Sequence, residues 1–243
     1  SPPQSAYSCG DTVLVRAQPD AGSDCGGFSG AVSGTAFVDT LIIDGPVQVT
    51  ATFSPAPFPA FRSDDFNACD LAPFWEVVDP LQNASVEIAG AGSGNALAEL
   101  TVPSGTTYDP WGVSGNESLR LMQAAANANF TLVAGFETVP SGGFRNQGLI
   151  IEQGPDNWVR FDVINTGGSP TVFIGQTQAG TNSLLGTQLA PGNTARFLRL
   201  RRQDTTWIFD HSADGLTWVE VDTFTLNLTV TQVGVFAANP VQG

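Results

Sequence analysis

Along most of the chain, apolar and polar side chains alternate over about four to eight residues and then break at a cluster of Gly, Pro, Asn or Asp. A period of two places successive side chains on opposite faces, so this patterning predicts strands with one buried face. It recurs in "DTVLVRA", "PVQVTATF", "FWEVVD", "ALAELTV", "FTLVAGFETV", "QGLIIEQ", "NWVRFDVIN", "TVFIGQTQ", "RFLRLRR", "TWIFDHS", "TWVEVDTF" and "TQVGVFAAN". Only "ESLRLMQAAANA" reads equally as helix or strand. Turn signals such as "GPDN" and "SADG" join the strands into hairpins. The expected fold class is all-β.

One stretch breaks the rhythm. "SPAPFPAFRS" carries Pro55, Pro57 and Pro59, which remove ladder donors and exclude a central strand. The chain therefore divides into a small β module at 1–54, a proline-rich linker at 55–62 and a larger β domain at 63–243.

Alternation also assigns faces in the larger domain. In "LRLMQ", Leu119 and Leu121 point to the core and Arg120 and Met122 away from it. In "WVRFDV", Val159, Phe161 and Val163 point inward, leaving Trp158, Arg160 and Asp162 outside. "FLRLRR" buries Leu198 and Leu200 and exposes Arg199 and Arg201. If these strands are neighbours, one concave face gathers Arg120, Met122, Trp158, Arg160, Asp162 and Arg199, with Glu152 close by. Cross-strand ion pairs, Glu152 with Arg160 for example, are the ordinary alternative use of such charges. Trp75, Trp207 and Trp218 read as core.

The loop "TTYDPWG" closes one edge of that face with Tyr108, Asp109 and Trp111. Sugars stack their C–H faces on aromatic rings and exchange hydrogen bonds with charged groups, so Tyr108 and Trp111 form a candidate platform, with Asp109 and Arg120 as polar anchors. The competing reading is a turn fixed by Pro110, capped by Asp109 and covered by Trp111. Both stay open at this level.

Composition narrows the partners. Hydrophobic residues make up 42% and charged residues 13%, so neutral polar side chains cover much of the surface. The nine basic residues are all arginine, and 23 acidic ones give a net charge of −14. Nucleic acid and anionic membranes would be repelled by that field. No apolar run approaches the roughly 18 residues that a membrane span needs. No leader-like segment opens the chain, which reads as a mature or excised piece of a longer secreted protein.

Cys9 and Cys25 flank a stretch expected to form a hairpin, and a disulfide between them is the expectation for an oxidising compartment; Cys69 is left as a free thiol or an alternative partner. The single histidine and the lack of C-x-x-C spacing set most zinc sites aside. Asp64 and Asp65 in "SDDFN" are candidate calcium ligands, although no complete ligand loop accompanies them. Sequons occur at Asn83, Asn116, Asn129 and Asn227. A glycosidase needs paired carboxylates at set spacing. Glu152 runs into a turn and Asp162 stands alone, so the expectation is a non-catalytic domain.

Two resemblances add to this. "GDTV", "AQPDAG", "GFSG" and the closing "VTATF" resemble the divergent internalin-type B-repeat, a small β module of secreted and surface bacterial proteins. "SDDFN", "WEVVDP", "VPSGTTYDPW", "LRLMQ", "QGLIIEQ", "NWVRFDV", "FLRLRR", "SADGLTW" and "VGVFAAN" resemble, in order, a bacterial concanavalin-A-like jelly-roll domain of the "regulation of enolase" type. Similar sandwiches close the C-terminus of some β-xylosidases. The resemblances imply an antiparallel β-sandwich and a secreted or cell-surface multi-domain bacterial protein. They also imply a non-catalytic module whose partner is a polysaccharide or oligosaccharide, or else one that packs on upstream catalytic or surface domains.

Overall fold

The computed structural model describes residues 7–17, 23–34, 38–55, 61–112, 114–190 and 194–240. The chain separates into two compact units, Ser1–Ala60 and Phe61–Gly243. Part of the proline-rich linker, 56–60, lies outside the described residues. Phe61 and Arg62 belong with the second unit. The Phe61 ring meets Phe130 edge-on at 5.5 Å, and the Arg62 backbone exchanges two hydrogen bonds with the Gln123 side chain.

The first unit holds β1 (Thr12–Arg16), β2 (Ser23–Gly30), β3 (Val38–Ile42) and β4 (Val49–Pro55). The expected hairpin between Cys9 and Cys25 does not form. β1 pairs with β3 and β2 with β4, both antiparallel. This pairing lets Val15, Leu41 and Val49 converge on Phe28 and Val32, giving this small unit an apolar cluster of its own. The expected disulfide is corrected for the same reason. Cys25 is half-buried in that cluster while Cys9 is exposed, and Cys9, Cys25 and Cys69 are all free thiols.

The second unit begins with β5 (Glu76–Val78), β6 (Ser85–Ala89), β7 (Leu97–Thr101), β8 (Leu119–Ala124), β9 (Phe130–Gly135) and β10 (Gly143–Gly154). It continues with β11 (Asn157–Thr166), β12 (Thr171–Gln178), β13 (Thr181–Leu189), β14 (Phe197–Gln203), β15 (Thr206–Ser212), β16 (Val219–Thr225) and β17 (Gln232–Ala238). The ambiguous "LRLMQ" is a strand, and β2, β3, β6 and β13 had no clear sequence signal. A seven-stranded sheet runs β13-β12-β11-β10-β17-β8-β5 and a four-stranded sheet runs β16-β15-β14-β9. The non-sequential neighbours, with β17 between β10 and β8, make this an antiparallel jelly-roll β-sandwich.

The core lies between the sheets. Leu149, Ile151, Val159, Phe161, Val163, Val172 and Ile174 from the large sheet meet Leu198, Leu200, Trp207 and Phe209 from the small one. Trp207 is fully buried and donates its indole N–H to Leu226 O at 3.1 Å. Trp75 and Trp218 correct the expectation of core tryptophans. Trp75 is half-buried in a local cluster with Phe66 and Phe74, and Trp218 lies outside the small sheet with Arg199 over its ring at 4.2 Å.

Candidate functional site

The even-numbered side chains of β8, β10 and β11 occupy the face of the large sheet turned away from the core. That face is largely covered. Val86 of β6, Leu100 of β7, and Tyr108 and Trp111 of the segment leading into β8 pack over Met122, Ile150, Trp158 and Phe236. The candidate groove on this face is therefore filled by the domain's own side chains. Leu119 joins this second cluster rather than the main core.

Tyr108 is fully buried. Its hydroxyl lies against Asp79 Oδ1 at 2.8 Å and against Asn83 Oδ1, and its backbone exchanges hydrogen bonds with Asn239. Burial, then the bond to Asp79 and its charge, push the Tyr108 hydroxyl up to about 12. This residue staples the cover to the sandwich and has no face left for a sugar ring. Asp109 caps its own turn, its Oδ1 accepting the Trp111 N–H at 2.8 Å and its carbonyl accepting the Glu117 N–H at 2.9 Å.

Trp111 is half-buried. One side of its ring is occupied by the Arg160 guanidinium, 4.4 Å from its centroid, and Phe173 meets it edge-on at 5.4 Å. Arg160 is paired with Asp162 at 3.5 Å rather than with Glu152. Asp162 is wholly buried, and burial pushes its carboxyl upward against the pull of Arg160 and of the Asn146 amide. Met122 and Trp158 are buried beneath the cover.

Arg199 does not join this face. β14 belongs to the four-stranded sheet, where Arg199 and Arg201 both bind Asp210, at 3.0 and 2.9 Å. The candidate calcium pair is engaged locally as well. Asp64 accepts the Phe66 N–H and the Trp75 indole N–H, each at 2.8 Å, and Asp65 Oδ1 accepts the Asn67 N–H at 3.2 Å. Among the described residues no group of three or more His, Cys, Asp or Glu is placed to hold a metal ion.

What the cover leaves open is a pocket of about 430 Å³ at one end of the face, lined by Asn116, Arg120, Glu152, Asp156, Trp158 and Asn182. Gly112, Gly115 and Gly180 also line it. Arg120 Nε stands 3.1 Å from Glu152 Oε1, with side chains 9% and 12% exposed. Burial pushes the Glu152 carboxyl up, against Arg120 and the Asn116 amide, while the negative charge of Glu76 adds to the rise. Burial likewise lowers Arg120, opposed by Glu152 and Glu76. The Trp158 indole N–H is buried in the same region with no hydrogen-bond partner among the described residues. Of the sequence candidates, Arg120, Glu152 and Trp158 are brought together here. Asn116 and Asn182 were missed. Asn116 carried one signal, its sequon, which in the structure is a turn: Asn116 Oδ1 binds the Ser118 N–H at 3.1 Å and its hydroxyl at 2.6 Å.

Residues 1–57 match the family model of the divergent InlB B-repeat domain. No curated protein sequence matches the chain. Among solved structures, the GH43 protein BlXynB from Bacillus licheniformis shares 16% identity at a TM-score of 0.54, covering 84% of this chain and 41% of that one. A functionally unknown protein from Saccharomyces cerevisiae shares 13% identity at 0.52, covering 69% and 88%. A GH43_12 protein retrieved from a capybara gut metagenome shares 12% at 0.52, covering 83% and 39%. The chain thus spans about two fifths of the GH43 proteins it resembles. At these identities the likeness establishes the fold, an all-β sandwich also found in GH43 proteins.

Proposed function

We propose that the sandwich is a non-catalytic carbohydrate-binding module of a secreted or surface bacterial protein, and that it binds an oligosaccharide or polysaccharide end in the pocket between Arg120, Glu152 and Trp158. The observation that carries this reading is a largely buried arginine–carboxylate pair lining one cavity, with Trp158, whose buried indole N–H has no partner among the described residues, in the same wall. Groups of this kind are costly to bury unless something polar completes them. The B-repeat match at residues 1–57 supports an extracellular setting.

A second reading is favoured by the coverage of BlXynB: the chain matches only 41% of that protein. On this reading the sandwich packs against a catalytic domain elsewhere in its parent polypeptide. A glycan array with the full chain, followed by titration of the hits against Glu152→Gln, separates the two. Hits that weaken in the variant support binding at the pocket, and an array without hits favours the packing role. Hydrolysis by the isolated chain that disappears in Glu152→Gln would overturn the non-catalytic reading.

A further inference from the structure

Resting on the glycan-binding reading, we infer that the pocket selects a neutral sugar residue through two adjacent free hydroxyls and discriminates against acidic sugars. Most donors and acceptors around the pocket are already used. A guanidinium has five N–H donors and a carboxylate two acceptor oxygens. Arg120 Nη1 is spent on Asn116 O at 2.8 Å and Ser118 O at 3.2 Å, and Nε faces Glu152 Oε1. On the other side, Glu152 Oε1 also receives the Asn116 amide at 3.4 Å. Asn116 Oδ1 is taken by Ser118, and Asn182 Oδ1 by the Thr177 hydroxyl at 2.6 Å.

The Nε contact at 3.1 Å is an ion pair without hydrogen-bond alignment, and among the described residues Arg120 Nη2 and Glu152 Oε2 carry no hydrogen bond. The committed half of the ion pair fixes both side chains, so the free half presents a donor beside an acceptor at set spacing. Two hydroxyls on neighbouring ring carbons, with oxygens about one hydrogen-bond length apart, complement that pattern. One accepts from Arg120 Nη2 and the other donates to Glu152 Oε2.

Charge disfavours acidic sugars. The walls carry Arg120 against Glu152 and Asp156, and Glu76 acts on both members of the pair. The chain as a whole carries −14. A uronate would bring a further negative charge into a partly desolvated, already negative site. The volume, about 430 Å³, sits near the low end of the roughly 300–1,000 Å³ typical of ligand pockets, which suits the end of a glycan chain better than its middle.

Calorimetric titration of the full chain tests this with neutral trisaccharides of xylo, arabino, gluco, galacto and manno configuration. Each is paired with a uronate-terminated counterpart and with one whose adjacent diols have been cleaved by periodate and reduced with borohydride. The expected result is that at least one neutral trisaccharide binds, and that its cleaved and uronate counterparts bind about tenfold or more weakly. Equal binding of either counterpart overturns the diol and charge selection while leaving glycan binding standing. Failure of all the trisaccharides removes the glycan-binding reading and this inference with it. Because the ligand is altered rather than the protein, no outcome depends on a variant folding.

Discussion

The guanidinium of Arg160 lies 4.4 Å from the ring centroid of Trp111, and the Phe173 ring faces the same guanidinium at 4.4 Å. Gly175 makes this stack sterically feasible, since a Cβ there would stand 2.7 Å from Trp111 Cζ2 and 2.8 Å from Phe173 Cε1. The stack anchors the segment that continues through Gly112 and Gly115 to the pocket wall.

Arg160→Met keeps much of the side chain's bulk but strands the buried Asp162 carboxylate. Removing one partner of a buried ion pair typically costs about 3–5 kcal/mol. Gly175→Ala is expected to cost about 1–3 kcal/mol by overpacking, with a change in tryptophan fluorescence as Trp111 is pushed aside. Urea unfolding measures both. An Arg160→Met stability within about 0.5 kcal/mol of the parent would contradict an anchoring role.

The Tyr108 staple gives an alkaline signature. Its hydroxyl is raised from 10.0 to about 12 in the folded chain, so its contribution to stability is complete below pH 10.0 and is lost as pH rises through about 12. Tyr108→Phe is expected to lose about 1–3 kcal/mol at neutral pH, by removing the hydroxyl's bond to Asp79. The gap between parent and variant then narrows across the interval from 10.0 to about 12. Denaturation curves at several alkaline pH values check the trend. A gap that stays constant or widens would count against the hydroxyl being held by Asp79.

Much of the sandwich was legible because its buried strands alternate cleanly, as "WVRFDV" and "FLRLRR" do. β6 and β13 were not, since "SVEIA" is short and "TNSLLGTQL" leaves Leu184 and Leu189 exposed, which blurs any one-faced pattern. Face assignment placed Arg120, Trp158 and Arg160 correctly relative to Val159 and Phe161. It could not show that the face would be covered, because alternation within the strands that carry Val86 and Leu100 does not say which sheet face they pack on. Nor could it separate Arg199 from Arg120. Period-two alternation says which side of a strand a residue takes, not which sheet the strand joins.

That separation has a measurable consequence. Arg199 sits on the outer face of the small sheet, stacked on Trp218 and bound to Asp210. Arg199→Ala is therefore expected to leave glycan affinity within about twofold of the parent, whereas Arg120→Ala reduces it about tenfold or more. Parallel titrations with one glycan hit decide the matter. A comparable loss in both variants would mean that the ligand reaches the small sheet as well.

The ion pair at the pocket also sets an acid limit on binding that is distinct from the acid limit on folding. Burial raises Glu152 above its ordinary 4.5, helped by Glu76 and opposed by Arg120 and Asn116, with Asp156 also lining the cavity. A carboxyl raised in the folded state gives stability that is present at low pH and is lost as pH rises through its folded value. Protonating Glu152 therefore does not itself unfold the domain, but it removes the acceptor at Oε2 and the charge that holds Arg120. Asp79 behaves oppositely. Burial pushes it up, yet hydrogen bonds from Ala84, Tyr108, Gln82 and Leu81 outweigh that and hold it below 3.8, so its stabilising contribution declines only as pH falls beneath that value. Between 3.8 and the raised value of Glu152, the chain is expected to release a bound glycan while keeping its folded circular-dichroism spectrum. Glu152→Gln is expected to bind weakly at every pH and to lose this dependence. Release that coincides with unfolding, or an unchanged pH profile in Glu152→Gln, would place the titrating group elsewhere.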